Sequence, residues 1–220
     1  MLPLAWQDGW LDDAAPHEPT ALHTMRLQAV CEALRTSGAR SVADLGCGDG
    51  ALVRLLLADA AISRVVAVDS SLSALGRLER TVDRVALSDG RLTLVHGSFT
   101  AAHQALKGVE AVAMVETIEH VEPARLSGVE HEVFGGLRPG TVIVTTPNQE
   151  FNVLFGMAPG RMREPGHRFE WSRQRFRAWA AGVALRQGYA LKMSGIGPAD
   201  PHRGSPTQMA EFTRWATTRT

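Results

Sequence analysis

The sequence has few of the residues that build a disulfide framework or a thiolate metal site. Its 220 residues include two cysteines, Cys31 and Cys47, whose spacing matches neither pattern. Lysine is nearly absent, since Lys107 and Lys192 are the two in the chain. No run approaches the roughly 18 consecutive apolar residues of a membrane span, and residues 1–6 lack the basic start of a secretory signal. We therefore expect a reduced, cytoplasmic protein that makes no membrane contact.

Charge is balanced over the whole chain but is distributed unevenly along it. The 23 basic and 23 acidic residues cancel, yet residues 161–192 hold eight basic side chains against Glu164 and Glu170. A local positive surplus of this kind suits contact with phosphates. An arginine-rich composition explains the same surplus, because almost every basic residue of the chain is arginine.

The order of helical and extended patterns predicts an α/β fold. With 45% hydrophobic residues, the chain can bury one sizeable core, and we expect one domain, 20–220, after an N-terminal segment, 1–19. Amphipathic stretches separate short apolar runs, which predicts a mostly parallel sheet with helices on both faces. The expected strands are 41–45, 64–68, 92–95, 110–115, 141–145, 189–194 and 208–215, and the expected helices are 20–37, 51–58, 71–87, 124–134 and 172–187.

A glycine-rich turn follows the first expected strand. Gly46, Gly48 and Gly50 come directly after Asp44, and glycine lets a backbone turn sharply and approach a ligand where a Cβ would block it. Asp69 ends the next expected strand, where an acid can accept hydrogen bonds from a ribose diol. The turn does not match the G-x-G-x-x-G of nicotinamide dehydrogenases.

The motifs D-L-G-C-G-D-G at 44–50 and V-A-V-D-S at 66–70 instead resemble the cofactor signature of class I S-adenosylmethionine-dependent methyltransferases. The resemblance implies a Rossmann-like, seven-stranded sheet whose last strand is antiparallel. It places the glycines along the methionine moiety, one aspartate near its ammonium group and the other at the ribose. A Ser-Phe pair after the third strand would hold the adenine, although the phenylalanine fits a core position equally well. The implied S-adenosyl-L-methionine ligands are Asp44, Gly46, Gly48, Gly50, Asp69, Ser98 and Phe99.

A second group of residues is suited to bind a divalent cation. Glu116, Glu119 and His120 follow the expected strand 110–115, and His167 lies in a long Gly- and Pro-rich connection. A helix through the first three would place them on one face. Ligands of open α/β sheets bind beyond the carboxyl ends of the strands, so both segments should converge there. Mixed oxygen and nitrogen donors suit manganese, iron, zinc or magnesium, but an exposed helix turn carries the same E-x-x-E-H string.

The second half of the chain resembles HEN-type small-RNA methyltransferases in their bacterial catalytic-domain form. The resemblance extends over nearly the whole chain and is sharpest in E-T-I-E-H at 116–120, T-P-N-Q-E-F-N at 146–152 and H-R-F-E-W-S-R at 167–173. It departs from the family at 163–166, where the family commonly has more histidine and acid. The metal ligands that it implies are Glu116, Glu119, His120 and His167, with manganese expected before magnesium.

This resemblance implies metal-dependent methylation of the 2′-hydroxyl on the 3′-terminal nucleotide of RNA, a reaction that serves RNA repair and small RNAs. A terminal ribose offers vicinal hydroxyls that can chelate one ion, so the substrate would be an RNA 3′ end with a free 2′,3′-diol. The general base would be His120 or a water. We also expect a monomer that works with an RNA-end-processing protein partner. The residues expected to bind RNA are Arg163, Arg168 and Trp171, with Phe155 and Phe169 as other stacking candidates and a core position as the other interpretation of Trp171.

Two other functions remain compatible with these motifs. Small-molecule O-methyltransferases of the quinone-biosynthesis type also have an E-x-x-E-H string and a T-P-N end to the fifth strand, although H-R-F-E-W at 167–171 in an arginine-rich segment argues against them. A non-catalytic, cofactor-binding module is the second alternative. The intact glycines and all four candidate ligands argue against that interpretation.

Overall fold

A computed structural model describes residues 20–101 and 104–215, and the expected N-terminal segment lies outside the described residues. One seven-stranded sheet has the order β3-β2-β1-β4-β5-β7-β6, and β7 runs antiparallel to both of its neighbours. The predicted α/β fold class, a mostly parallel seven-stranded sheet with helices on both faces, is confirmed. The strands are β1 (Ser41–Leu45), β2 (Arg64–Asp69), β3 (Leu92–His96), β4 (Ala111–Val115), β5 (Thr141–Pro147), β6 (Tyr189–Ile196) and β7 (Thr207–Arg214).

Helices cover both faces of the sheet, as parallel strands require. One face packs around Val30 and Leu56, and the other packs around Phe134 and Phe176. Among the described residues, no helix has the length and apolar character to cross a membrane. The helices are α1 (Ala21–Ser37), α2 (Ala51–Ala58), α3 (Leu72–Thr81), α4 (Arg84–Ser88), α5 (Leu126–Val129) and α6 (Arg173–Gln187).

Two expected helices differ from the observed ones. The stretch 71–87 forms α3 and α4 instead of one helix, because the Asp83 side chain accepts a hydrogen bond from the Val85 amide (2.9 Å) and caps a new helix. The stretch 124–134 begins in a 3-10 helix, Pro123–Arg125, and continues through α5 into a π-helix, Glu130–Leu137. Neither change moves the carboxyl ends of the strands.

The sheet order creates the crevice where ligands bind. The chain builds β1, β2 and β3 outward in one direction and then returns to place β4 on the other side of β1. At such a switch point the connections after two neighbouring strands diverge and leave space beyond their carboxyl ends. The glycine turn after β1 and the segment after β4 therefore face each other across this crevice.

Candidate cofactor and metal site

The glycine turn has the backbone that its sequence predicts. Gly46, Gly48 and Gly50 have φ values of 80°, 54° and 85°, which is the left-handed region that glycine adopts without strain. A Cβ at Gly46 would collide with the Thr117 side chain, and one at Gly50 would collide with Leu78. The turn is therefore packed against both the segment after β4 and helix α3.

Two carboxylates lie beside this turn in different environments. Asp69 accepts hydrogen bonds from the Gly48 amide on Oδ2 and from the Ser71 amide on Oδ1, both at 2.8 Å. Asp44 is 2% exposed, and burial, followed by the charge of Asp69, raises its pKa to about 7. A buried carboxylate is suited to pair with a cation, such as the ammonium group of a ligand in the crevice.

The adenine candidates lie after β3. Ser98 is exposed and its Oγ lies 2.7 Å from Thr100 Oγ1. Phe99 is partly buried and packs against the core, which is one of the two positions considered for it. Their contact with an adenine remains a prediction.

Three of the four expected metal ligands meet in space. Glu119, His120 and His167 each present a ligand atom within 4.8 Å of the others. The first two belong to a 3-10 helix, Ile118–His120, directly after β4, and the third precedes α6. The Arg168 amide donates to the Glu119 carbonyl (2.7 Å) and joins the two segments.

Glu119 fits a divalent cation. Its side chain is fully buried, Oε2 accepts a hydrogen bond from Thr146 Oγ1 (3.0 Å), and Oε1 has no hydrogen-bond partner among the described residues. Burial, followed by the charge of Glu116, raises the pKa of Glu119 well above its ordinary value. Because an unpartnered buried carboxylate oxygen is costly, a metal ion between it and the two imidazoles would supply the missing contact.

Both imidazoles are held so that one ring nitrogen can bind a metal. His120 Nδ1 donates to the Gly166 carbonyl (3.2 Å), and His167 Nδ1 lies 2.7 Å from Glu170 Oε1. Nε2 is then the nitrogen that each ring leaves for a metal. The rings approach edge to face with centroids 4.9 Å apart.

Glu170 lies directly behind His167, and sequence reasoning gave it no role. Burial alone would raise its pKa, but hydrogen bonds from His167, Arg163 and Asn152 outweigh burial and leave the pKa below its ordinary value. A charged carboxylate behind an imidazole fixes the ring and strengthens it as a metal ligand. The signal in the sequence was an acid three residues after His167, inside the H-R-F-E-W motif.

Glu116, the fourth expected ligand, lies apart from this cluster. The helix that would have placed Glu116 on one face with Glu119 and His120 does not form, because Glu116 precedes the 3-10 helix and has a φ of 51°. Its Oε1 accepts from Thr145 Oγ1 (2.9 Å) and its Oε2 lies 3.0 Å from Arg26 Nη2. Arg26, on α1, is a second residue that sequence reasoning assigned no role.

The three expected RNA-binding residues differ in their exposure to solvent. Arg163 is half-buried, and its guanidinium donates to Asn152 Oδ1 (2.7 Å) and to the Asn148 and Pro206 carbonyls (both 2.9 Å). Trp171 is 6% exposed and stacks on Phe169. Arg168 is exposed, and its Nε lies 3.2 Å from Glu122 Oε1.

An open cavity lies beside the metal candidate. It has a volume of about 420 Å³, and Glu170, Trp171, Met162 and Pro123 contribute to its wall. The exposed guanidinium of Arg175 lies over the Trp171 ring, 5.6 Å from its centroid. This wall combines a cation with apolar and aromatic surface.

Comparison with known proteins identifies the family. A family model described as a methyltransferase domain matches residues 42–140. Small RNA 2′-O-methyltransferases from Xenopus tropicalis and Mus musculus are 34% and 36% identical over 88% of this chain, which covers 55% and 51% of their lengths. The chain thus spans about half the length of the curated relatives it matches.

Solved structures agree over a full domain. The methyltransferase domain of bacterial CtHen1-CN is 37% identical, with a TM-score of 0.78 over 87% of this chain and 99% of that domain. Small RNA methyltransferase HEN1 has a TM-score of 0.82 at 29% identity, over 95% of this chain and 28% of that structure. The resemblance expected from the motifs is confirmed, and the chain belongs to the HEN1 family of S-adenosylmethionine-dependent methyltransferase domains.

Proposed function

We propose that this protein transfers a methyl group from S-adenosyl-L-methionine to the 2′-hydroxyl of the 3′-terminal nucleotide of RNA, with the help of one divalent ion. The observation that carries the proposal is the cluster of Glu119, His120 and His167, within 4.8 Å of one another, in the crevice that also contains the glycine turn. The names of the relatives support the RNA substrate.

The cofactor would bind along the turn after β1. Gly46, Gly48 and Gly50 leave room for the methionine moiety, and Asp44 pairs with its ammonium group. Asp69 has both oxygens occupied by one amide each, and each oxygen keeps a second lone pair for a ribose hydroxyl. Ser98 and Phe99 would contact the adenine.

The ion would be held by Glu119, His120 and His167, with Glu116 as the fourth ligand. Two imidazoles and two carboxylates favour manganese, and magnesium is the second choice because it prefers oxygen ligands. When bound, such an ion polarises a hydroxyl and lowers its pKa. The protein's own contribution is to hold both imidazoles through Gly166 and Glu170, so that they need not reorient.

Proton removal from the attacking hydroxyl follows from the same hydrogen bonds. His120 Nδ1 is engaged by the Gly166 carbonyl, so Nε2 is its one basic position. A single nitrogen cannot both bind a cation and accept a proton. If His120 is a metal ligand, we infer that the proton leaves to a water.

The RNA would approach along the cavity beside Glu170. Arg175 lines this cavity and Arg168 is exposed on the preceding segment, so both can meet phosphates, whereas Arg163 is half-buried and Trp171 is buried. We propose that Arg163 supports the loop that carries His167 and that Trp171 supports Arg175 as a flat, cationic surface for a base. A protein partner, a monomeric state and a cytoplasmic location remain predictions.

The test compares substrates under one set of conditions. Purified protein, labelled S-adenosyl-L-methionine and manganese are mixed with an RNA ending in a free diol, the same RNA ending in a 3′-phosphate, or a catechol. We expect methylation of the first RNA alone, lost on chelation of the metal. Transfer to the catechol alone would support the small-molecule alternative, and no transfer to any of the three would support a binding module.

A further inference from the structure

Arg26 pairs with Glu116, the same carboxylate that a metal ion at the proposed site would bind. We propose that Arg26 holds Glu116 in the metal-free protein and competes with the ion for it, so that Glu116 joins the other three ligands only when the ion displaces the guanidinium. This inference rests on the metal site of the proposed function. It assigns a role to a residue on α1, which contributes no other group to the candidate metal site.

Both oxygens of Glu116 are already engaged. Oε2 lies 3.0 Å from Arg26 Nη2, and Oε1 accepts from Thr145 Oγ1 at 2.9 Å. The backbone is fixed as well, because the Glu116 amide donates to the Thr145 carbonyl and hydroxyl (3.2 and 3.0 Å). The side chain is therefore the part that can move, and its movement breaks existing bonds.

Moving Glu116 away from Arg26 is energetically unfavourable, because the guanidinium has few other partners. Its side chain is 11% exposed, and within residues 20–101 and 104–215 its Nε has no hydrogen-bond partner. Its other contacts are neutral or weak, since Nη2 donates to Thr207 Oγ1 (3.2 Å) and Nη1 lies 3.5 Å from His23 Nδ1. If Glu116 leaves, an enclosed guanidinium loses its carboxylate, and removing one partner from such a pair is strongly unfavourable.

A different role for Arg26 makes the opposite prediction. The guanidinium could keep Oε2 while Oε1 turns to the ion, in which case Arg26 would orient a ligand and favour binding. Removing the guanidinium should strengthen metal binding if Arg26 competes with the ion, and should weaken it if Arg26 orients Glu116. Metal affinity, measured without cofactor or RNA, therefore separates them.

The experiment titrates manganese into the wild-type protein, Arg26→Met and Arg35→Met by calorimetry. Arg35 is the matched control, because it lies on the same helix and pairs with Glu32 and Asp59 at the surface. We expect Arg26→Met to lower the Kd for manganese about tenfold, a change that is easily resolved, and Arg35→Met to leave it unchanged. Equal or weaker binding by Arg26→Met overturns the inference.

Two further measurements keep the result specific. In a Glu116→Gln background the gain from Arg26→Met should shrink, because the competition acts through that carboxylate, whereas a general charge effect would persist. If Arg26→Met does not fold by circular dichroism, Arg26→Lys takes its place, and its weaker grip on Glu116 should still lower the Kd. If the wild-type protein binds no manganese, the metal site of the proposed function fails instead.

Discussion

Glu170 Oε1 lies 2.7 Å from His167 Nδ1, and neither side chain is accessible to solvent to any large extent. The carboxylate thereby determines which nitrogen of the imidazole faces Glu119 and His120. This hydrogen bond joins two residues of one loop. It orients His167 toward Glu119 and His120, which follow β4. The arrangement matches the carboxylate–histidine–metal pattern found in metalloproteins.

The first prediction concerns this pair. Glu170→Gln removes the charge behind His167 and should weaken manganese binding and methyl transfer about 10- to 100-fold, while His167→Ala should abolish transfer. Calorimetry with S-adenosylhomocysteine should show unchanged cofactor binding in both variants. Glu150→Gln, which alters a surface pair with Arg173, is the control. Undiminished turnover in His167→Ala would exclude the metal role.

The second prediction is a pH dependence of cofactor binding. Burial raises the pKa of Asp44 to about 7, so the free protein carries a proton there at lower pH. An ammonium group favours the carboxylate, and binding then releases the proton. Affinity for S-adenosylhomocysteine should rise with pH up to about 7 and level off above it. Calorimetry across this range checks it, and an identical profile in Asp44→Asn would contradict it.

The third prediction follows from the same raised pKa and concerns the cofactor-free protein. An unfolded chain loses the Asp44 proton near the ordinary pKa of about 3.9, whereas the folded chain keeps it up to a pH of about 7. This group's contribution to stability is complete below the first value and is lost as pH rises through the second. Urea unfolding of the wild-type protein and Asp44→Asn should diverge over that window. If the free energies of unfolding of the two proteins change with pH in the same way, the raised pKa of Asp44 is excluded.

The fourth prediction separates the backbone strain from the steric collision that follow when a glycine is replaced by alanine. Gly90→Ala, at a φ of 77° with nothing within 4 Å of the added Cβ, should lose about 1–3 kcal/mol from backbone strain alone. Gly46→Ala adds a collision with Thr117 and should lose more stability and also lose cofactor binding. Urea unfolding and calorimetry with S-adenosylhomocysteine measure both effects. Equal losses in the two variants would show that the turn tolerates the side chain.

Several parts of the fold and the site could be predicted because they depend on local sequence. Alternating apolar runs and amphipathic stretches indicated the strands and helices, and the glycines after β1 indicated a left-handed turn. Glu119, His120 and His167 could be brought together because carboxyl ends of parallel strands share one edge. The break at Asp83 was missed because a capping aspartate also occurs inside loops and helices.

Other relationships had no local signal. Four strands separate Arg26 from Glu116 along the chain, and the two side chains meet because α1 packs against β5, whose Thr145 also holds Glu116. Arg163, Arg168 and Trp171 were expected at the RNA from their chemical type, but packing buries Trp171, half-buries Arg163 and leaves Arg168 exposed. Exposure is a property of the folded surface, which residue type alone does not determine.

The sequence by itself determined the class of fold, the glycine turn and the residue types able to bind a methyl donor and a cation, since these depend on backbone preference and donor chemistry. The tertiary structure decided which of those groups meet. It left Glu119 Oε1 without a partner in the described part of the chain, placed Glu170 behind His167 and paired Glu116 with Arg26. These contacts depend on how elements distant in sequence pack together, because packing determines which charged groups are buried beside one another.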